Sequence, residues 1–390
     1  MSETKIKYIN KLILVGNGFD LALGLKTKYE DFLLWLLKKQ IGDALANKNE
    51  QYLPIDKYKG HYNEHFGEYA PRRAYGYNTC KLFDVIINKN YNFPLNKLTE
   101  SIDVNAVLEL SKTFDIEVIP NNSGGLFSKI LHMSNKGWVD IEEIYYKFIK
   151  IILDTTIRDY NIDYIDVLNE ELNEVKKLLK EYLNQLDYSE TKKKELTIKY
   201  INQFTKDIHI EDIMIPLKEN EILKTDELFF LNFNYTSTIF NIVQEGYQLN
   251  PNNICNIHGD LSQDDDSIIF GYGDEMDTDY KNIEELNDNR FFDNIKSFKY
   301  SVNSNYRDLL RFLNDEYFQV LIYGHSCGLS DRVMLNEIFE HENCKSIKIA
   351  YYNKSEFVKK TMDISRHFKS NQLMRKKVVS FNADDKIPQL

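Results

Sequence analysis

KLILVGNGFD, residues 11–20, sets four aliphatic residues, Leu12 to Val15, directly before Gly16-Asn17-Gly18, with an acid, Asp20, close behind. A short apolar run closed by glycine reads as a buried strand. The following DLALGLKTKYEDFLLWLLKK, residues 20–39, has apolar residues at helical spacing and reads as one helix. Strand, glycine turn and helix form a junction at which parallel α/β sheets hold ligands, often phosphates. The dinucleotide pattern G-x-G-x-x-G is incomplete, because its third position is Leu21. Asp20 sits at the start of the expected helix, either as its N-cap or as an acceptor for a sugar hydroxyl away from any phosphate.

From about residue 225 the same texture returns. ELFFLNFNYT, NICNIHGD, SIIFGYGDE, YFQVLIYGHSCGLSD, KSIKIAYYN and KKVVSFNAD read as strands, with DRVMLNEIFEH and SEFVKKTMDISRHF as helices between them. Strands alternating with helices predict a parallel sheet covered on both faces. Four of the strands end in small and polar residues: Gly16-Asn17-Gly18, Asn234-Tyr235-Thr236, His258-Gly259 and Gly324-His325-Ser326. In an open α/β sheet such ends converge on one crevice. The fold expected is therefore α/β: a Rossmann-type parallel core from residues 1–40 and 225–390, split by a mainly helical insertion over 41–224.

Within the insertion, YKGHYNEHFGEYAPRRAYGYN reads as irregular. Its HYNEH, residues 61–65, matches the H-x-x-E-H zinc-protease pattern, but flanking glycines and a proline oppose the helix that pattern needs. Asp140 in GWVDIEE suits an N-cap, Trp138 a core position, and Glu142 and Glu143 a solvated helix face or a contact between lobes. Ile165, Leu168, Leu172, Val175, Leu179, Tyr182 and Leu186 alternate steps of three and four and fall on one helical face, suiting a helical hairpin or a dimerising coiled coil. The acidic run 263–266, with Asp274, Glu275 and Asp277, reads as a solvated loop rather than a cation site.

The chain has 390 residues, 43% hydrophobic and 28% charged, with a formal charge of −11. That charge argues against a broad nucleic-acid footprint while leaving room for a local basic patch. The four cysteines form no C-x-x-C pair, so neither a zinc module nor a disulfide scaffold is expected, and no metal is assigned. The start lacks a signal-peptide run and no stretch has membrane-span length, so a cytoplasmic protein without a membrane partner is expected.

LVGNGFDLALGLKTKYEDF, GWVDIEE, NFNYT, IHGD and GHSCGLSD, in that order, resemble the AbiH family, named for bacteriophage abortive infection. Leu23 stands where many members carry histidine. The order of the glycine loop, NFNYT, IHGD and GHSCGLSD also resembles sirtuin-like domains, which bind NAD, although the zinc-binding cysteines and the Ile-Pro-Asp-Phe-Arg continuation of true sirtuins are absent. The resemblance implies antiphage defence by hydrolysis of NAD or a related nucleotide, triggered by an unidentified phage component and compatible with a homo-oligomer. It assigns His258 as base and Asn234 as holder of water or ribose, with NAD as substrate or ligand. Gly16, Asn17, Gly18, Asp20, Thr236, Gly324, Ser326 and Asp331 would bind that nucleotide, the glycines at pyrophosphate, Ser326 at phosphate or adenosine, Asp331 at a ribose hydroxyl. His325 reads as a packed residue rather than a second base. The rival readings are a nucleotide-sensing module that signals to a partner and a nucleic-acid hydrolase.

Overall fold

The computed structural model describes residues 5–47, 50–53, 57–63, 68–89, 93–100, 103–134, 140–153, 163–188, 194–213, 215, 221–245, 250–262 and 268–390. Its contacts divide into two compact units, residues 1–27 with 183–390, and residues 28–182. Among the described residues the strands are, in chain order, β1 (Lys5–Val15), β2 (Gln51–Leu53), β3 (Lys59–Asn63), β4 (Glu68–Ala74), β5 (Gly76–Thr79), β6 (Phe83–Ile87), β7 (Ile116–Pro120), β8 (Glu221–Asn232), β9 (Ile254–Asn256), β10 (Phe318–Tyr323) and β11 (Cys344–Ala350).

The first unit is built on a five-stranded sheet of order β11-β10-β1-β8-β9, in which every pairing is parallel. Alternation along the strands supplies both faces. Leu12 and Leu14 of β1, Val320 and Ile322 of β10 and Phe229 and Leu231 of β8 enter one core. Ile13, Val15, Phe230, Leu321 and Tyr323 enter the other. Strands buried on both faces read as near-continuous apolar runs, which is why these were legible. SIIFGYGDE and KKVVSFNAD were expected as strands and are not. Each makes one isolated bridge, Tyr272 with Ile295 and Val378 with Ile347. Their apolar residues mark burial, not ladder pairing.

The helix expected over 20–39 is two helices, Asn17–Ala22 and Tyr29–Ala46. Gly24, at φ +82°, ends the first, and the amide of Leu25 returns to the carbonyl of Asp20 at 3.1 Å. The division between units accordingly falls within the expected 1–40 segment, and the helix Lys194–Thr205 belongs to the sheet unit.

The second unit has more helix than strand, and to its helices it adds two antiparallel three-stranded sheets that were not expected, β2-β4-β3 and β5-β6-β7. The stretch read as irregular supplies β3, β4 and β5, and His61 lies in a strand, not in the helix the zinc motif needs. His65, Trp138 and the acidic run 263–266 lie outside the described residues. Asp140 does cap its helix, accepting from the amide of Glu143 at 2.9 Å; Glu142 is buried rather than solvated. The apolar series lies on helix Tyr164–Asn184 up to Tyr182, with Leu186 beyond its end. Those six residues are buried within the chain, Tyr182 against Phe32 and Trp35, which removes the need for a coiled-coil partner.

Beyond the strand ends the chain keeps the sheet's spacing. Gly16 donates to the Tyr323 carbonyl at 3.2 Å, Phe233 to Val15 at 2.9 Å and Ile257 to Asn232 at 3.0 Å. The loops after β1 and β10 touch backbone to backbone. A Cβ on Gly16 would lie 2.4 Å from His325 Cα, and one on Gly324 would lie 2.3 Å from the Phe19 nitrogen. Gly324 also has φ +79°. Gly324→Ala should therefore destabilise the sheet unit by at least about 3 kcal/mol, left-handed strain plus a contact that cannot relax. Gly328→Ala in the same loop, whose Cβ would meet nothing nearer than 3.6 Å, should be neutral. Denaturant unfolding of both variants checks the contrast, and equal midpoints would refute the packing argument.

Candidate functional site

In the sheet the chain runs from β1 to one side through β8 and β9, then crosses to the other side for β10 and β11. The direction reverses at β1, and ligands of open α/β sheets bind outside the carboxyl ends at such a reversal. Polar side chains gather there in two groups.

One group centres on the carboxylate of Asp331, at the end of the short turn Leu329–Asp331. Its Oδ1 accepts from Lys296 Nζ at 2.9 Å and faces His258 Nε2 at 3.2 Å, while its Oδ2 faces His325 Nε2 at 3.5 Å. All four side chains are buried. The Tyr300 hydroxyl lies 3.5 Å from His258 Nε2. The ring of Phe233 packs against both imidazoles, with centroids 4.0 Å from His325 and 5.4 Å from His258. Burial alone would raise the pKa of Asp331, but Lys296 and His258 overcome it and hold the carboxyl well below its ordinary range. Burial, then the charge of Lys296, lowers His258 despite the opposing pull of Asp331, and burial lowers His325. Both rings are therefore neutral at pH 7.

Neutral rings have one N–H and one lone pair each, and the partners assign them. His325 Nδ1 accepts from the amide of Cys327 at 3.0 Å, so its proton is on Nε2, toward Asp331. Both of its nitrogens are engaged. His258 turns Nε2 to the same carboxylate, which puts its lone pair on Nδ1. Of the two histidines, only His258 is arranged to take up a proton.

The second group surrounds Asp20. The expectation that Asp20 caps its helix is not met: Gly16 occupies the cap position and Asp20 lies inside the helix. Its carboxylate is buried and accepts from Thr236 Oγ1 at 2.7 Å and Thr238 Oγ1 at 2.5 Å. Asn234 also steadies this charge, yet its Nδ2 is buried without a hydrogen bond of normal geometry. Alternation at the end of β8 thus turns Phe233 to the histidines and Asn234 to Asp20. Burial outweighs these donors and raises the Asp20 pKa to about 6.

The expected site residues are thus distributed. His258 and Asp331 are in contact; Asn234, Thr236 and Asp20 form the other group. Gly16, Gly18 and Gly324 pack on one another, and the Gly18 amide donates to the Gly324 carbonyl at 2.8 Å rather than facing outward. The helix behind them has six residues, too short for a phosphate-binding terminus. Asn17 is exposed and hydrogen-bonded to Thr27, and Ser326 is exposed, its carbonyl accepting from Lys360 at 2.9 Å. Asp274, expected in a solvated acidic loop, is buried and paired with Arg332 at 3.0 Å. Lys296, Tyr300, Phe233 and Thr238 were missed. Lys296 stands in an ordinary polar stretch, FDNIKSFKY, and nothing there signals burial; Thr238, two residues after Thr236, was within reach of an argument from helix starts.

The family model described as bacteriophage abortive infection AbiH matches residues 12–353. No curated protein and no solved structure matches the chain. Among the described residues no helix is long and apolar enough to cross a membrane.

The raised Asp20 pKa has a defined sign. The folded state binds its proton more tightly than the unfolded chain, so stability falls as pH rises from about 4 to about 6 and the full penalty, on the order of 3 kcal/mol, applies above that. Asp20→Asn should melt higher than the native protein at pH 8, with the gain vanishing near pH 4. A difference that does not change with pH would show that Asp20 is not a strained carboxylate.

Proposed function

The chain belongs to the AbiH family of bacteriophage abortive infection and has that family's antiphage role, within which we propose that it hydrolyses a nucleotide at the carboxyl ends of its sheet, cleaving the nicotinamide–ribose bond of NAD. The carrying observation is the His258–Asp331 contact: a buried neutral imidazole with its tautomer fixed by a carboxylate. Support also comes from the strand order, which counted within the unit is 3-2-1-4-5, that of Rossmann-type nucleotide-binding sheets. The buried Asn234 amide is a third support, since it faces Asp20 without a hydrogen bond of normal geometry and could donate to a ribose oxygen.

The chemistry asks little covalent work of the protein. The C–N bond to a cationic nicotinamide breaks with its electron pair leaving on nitrogen, and water adds to the anomeric carbon. The proton lost from that water passes to Nδ1 of His258, while Asp331 balances the imidazolium that forms. Lys296 keeps Asp331 ionised, and Asn234 holds the ribose or the water. NAD plus water gives nicotinamide, ADP-ribose and a proton.

The test is nicotinamide release from NAD by purified protein, with and without phage lysate. His258→Ala and Asn234→Ala should abolish release, and His325→Gln should leave a measurable fraction, because His325 has no lone pair to offer. The rate should fall only as pH drops through the lowered His258 pKa, below the usual range near 6.5. No release under any condition would defeat the NAD reading, whereas saturable stabilisation by NAD without release would favour a nucleotide sensor.

A further inference from the structure

The last stretch of the sheet unit contradicts the protein's overall charge. Residues 354–377, KSEFVKKTMDISRHFKSNQLMRKK, hold eight lysines and arginines and two carboxylates, a local charge of +6 in a chain of −11. They form the helices Lys354–Ser365 and Asn371–Lys377. The second runs beside β11, where Val378 bridges Ile347. Lys354, Lys359, Arg366, Lys369, Arg375 and Lys376 are exposed. Arg366 pairs with Asp363 at 2.5 Å; among the described residues no ion pair engages Lys359, Lys369, Arg375 or Lys376.

The same surface carries rings. Tyr352, just before the first helix, is 53% exposed, and Phe381, just after the second, is 37% exposed. Lys354 lies over the Phe381 ring at 5.5 Å. Val358 and Met362, one turn apart on the first helix, are exposed between the cations. Four large apolar side chains are thus exposed within residues 352–381, the stretch that also holds the cations.

Cations along two helices, with rings at their ends, make a polyanion surface suited to a chain whose bases are unstacked. Phe381 is already packed by Tyr351 at 4.9 Å and Phe357 at 5.3 Å, which leaves Tyr352 as the more open ring. We propose that residues 352–381 bind single-stranded nucleic acid, the lysines and arginines meeting phosphates and Tyr352 stacking on a base. The A-form or B-form duplex offers phosphates but no open base faces, so the exposed Tyr352 ring selects the single strand. The surface adjoins the strand ends. Lys360 reaches the Ser326 carbonyl, and His367, just past the first helix, lies 2.9 Å from the Cys327 carbonyl. A strand laid along it would press on the loop that carries His325 and Asp331. The acidic remainder of the molecule explains why whole-chain charge concealed the surface: it repels polyanions everywhere else and confines binding to this face.

Fluorescence anisotropy on the full chain tests the proposal, using labelled 20-nucleotide single strands of DNA and of RNA, the matching duplex, and anionic phospholipid vesicles as a separate arm. Single strands should bind, with affinity falling as salt rises. Lys359→Glu/Arg366→Glu/Lys376→Glu should weaken binding at least about tenfold and lower the salt slope by about 2, from three lost phosphate contacts at about 0.7 each. Tyr352→Ala should weaken binding severalfold without changing the slope. All substituted residues are exposed, so unchanged melting curves verify folding. Comparison of the DNA and RNA strands identifies the sugar. No binding at low salt, equal affinity for the duplex, binding unaffected by the triple substitution, or binding to vesicles in its place would each overturn the proposal. None of these outcomes depends on nicotinamide release.

Discussion

One buried carboxylate organises the strand-end site. Asp331 draws together Lys296, His258 and His325 from three separate stretches of chain. An isolated carboxylate at that depth would take up a proton or unfold the region, because burial penalises its charge by several kcal/mol. Lys296 reverses the outcome by supplying the opposite charge at 2.9 Å. With Asp331 ionised, each imidazole has an acceptor for its Nε2 proton, and the tautomers follow. Removing either partner of the Asp331–Lys296 pair leaves the other charge buried without this counter-charge, so the pair is structural before it is chemical. It is also what keeps His258 neutral: the lysine's charge adds to burial in opposing protonation, and the carboxylate only partly restores it.

The glycines show how a familiar pattern acquires a different cause. Gly16-Asn17-Gly18 after a buried strand invites a phosphate, yet in this structure the glycines pack against the loop after β10. Gly16, Gly18 and Gly324 are glycines because two backbones meet there, with gaps too small for any Cβ. This contact matters for the site all the same. It fixes the backbone at Gly324, immediately before His325, and so sets the distance from the β10 end to Asp331. Close backbone packing is therefore a sufficient cause for this glycine pattern.

What was legible follows from the same physics. The strands β1, β8, β10 and β11 could be read because both faces are apolar, and the strand-end motifs because small polar residues interrupt such runs. His258, Asn234 and Asp331 were reached in this way. Segments such as SIIFGYGDE defeated the reading because an apolar run reports burial and says nothing about pairing. In the second unit, β3, β4 and β5 were hidden because they mix tyrosine, arginine and glycine, whereas β6, FDVII, is an ordinary buried strand that went unread. Lys296 could not be read at all: a lysine's burial depends on the carboxylate it meets, and Asp331 is 35 residues away.

Asp20 and Asp331 respond to pH in opposite senses, and this separates their roles. Asp331 is held ionised, so its pairing contributes stability that is lost only as pH falls below the ordinary carboxylate range. Asp20 has hydroxyl donors but no cation among its hydrogen-bond partners, and neutral donors do not offset burial. At neutral pH it therefore costs stability, and a fold under no other demand would place asparagine there. Under the proposed nucleotide hydrolysis, a destabilising acid beside a buried amide, at the point where the sheet reverses direction, is a group whose full set of partners would arrive with the ligand. On the same proposal, the hydroxyl of a sugar, able to donate to Asp20 and accept from Asn234 at once, would satisfy both groups with a single atom.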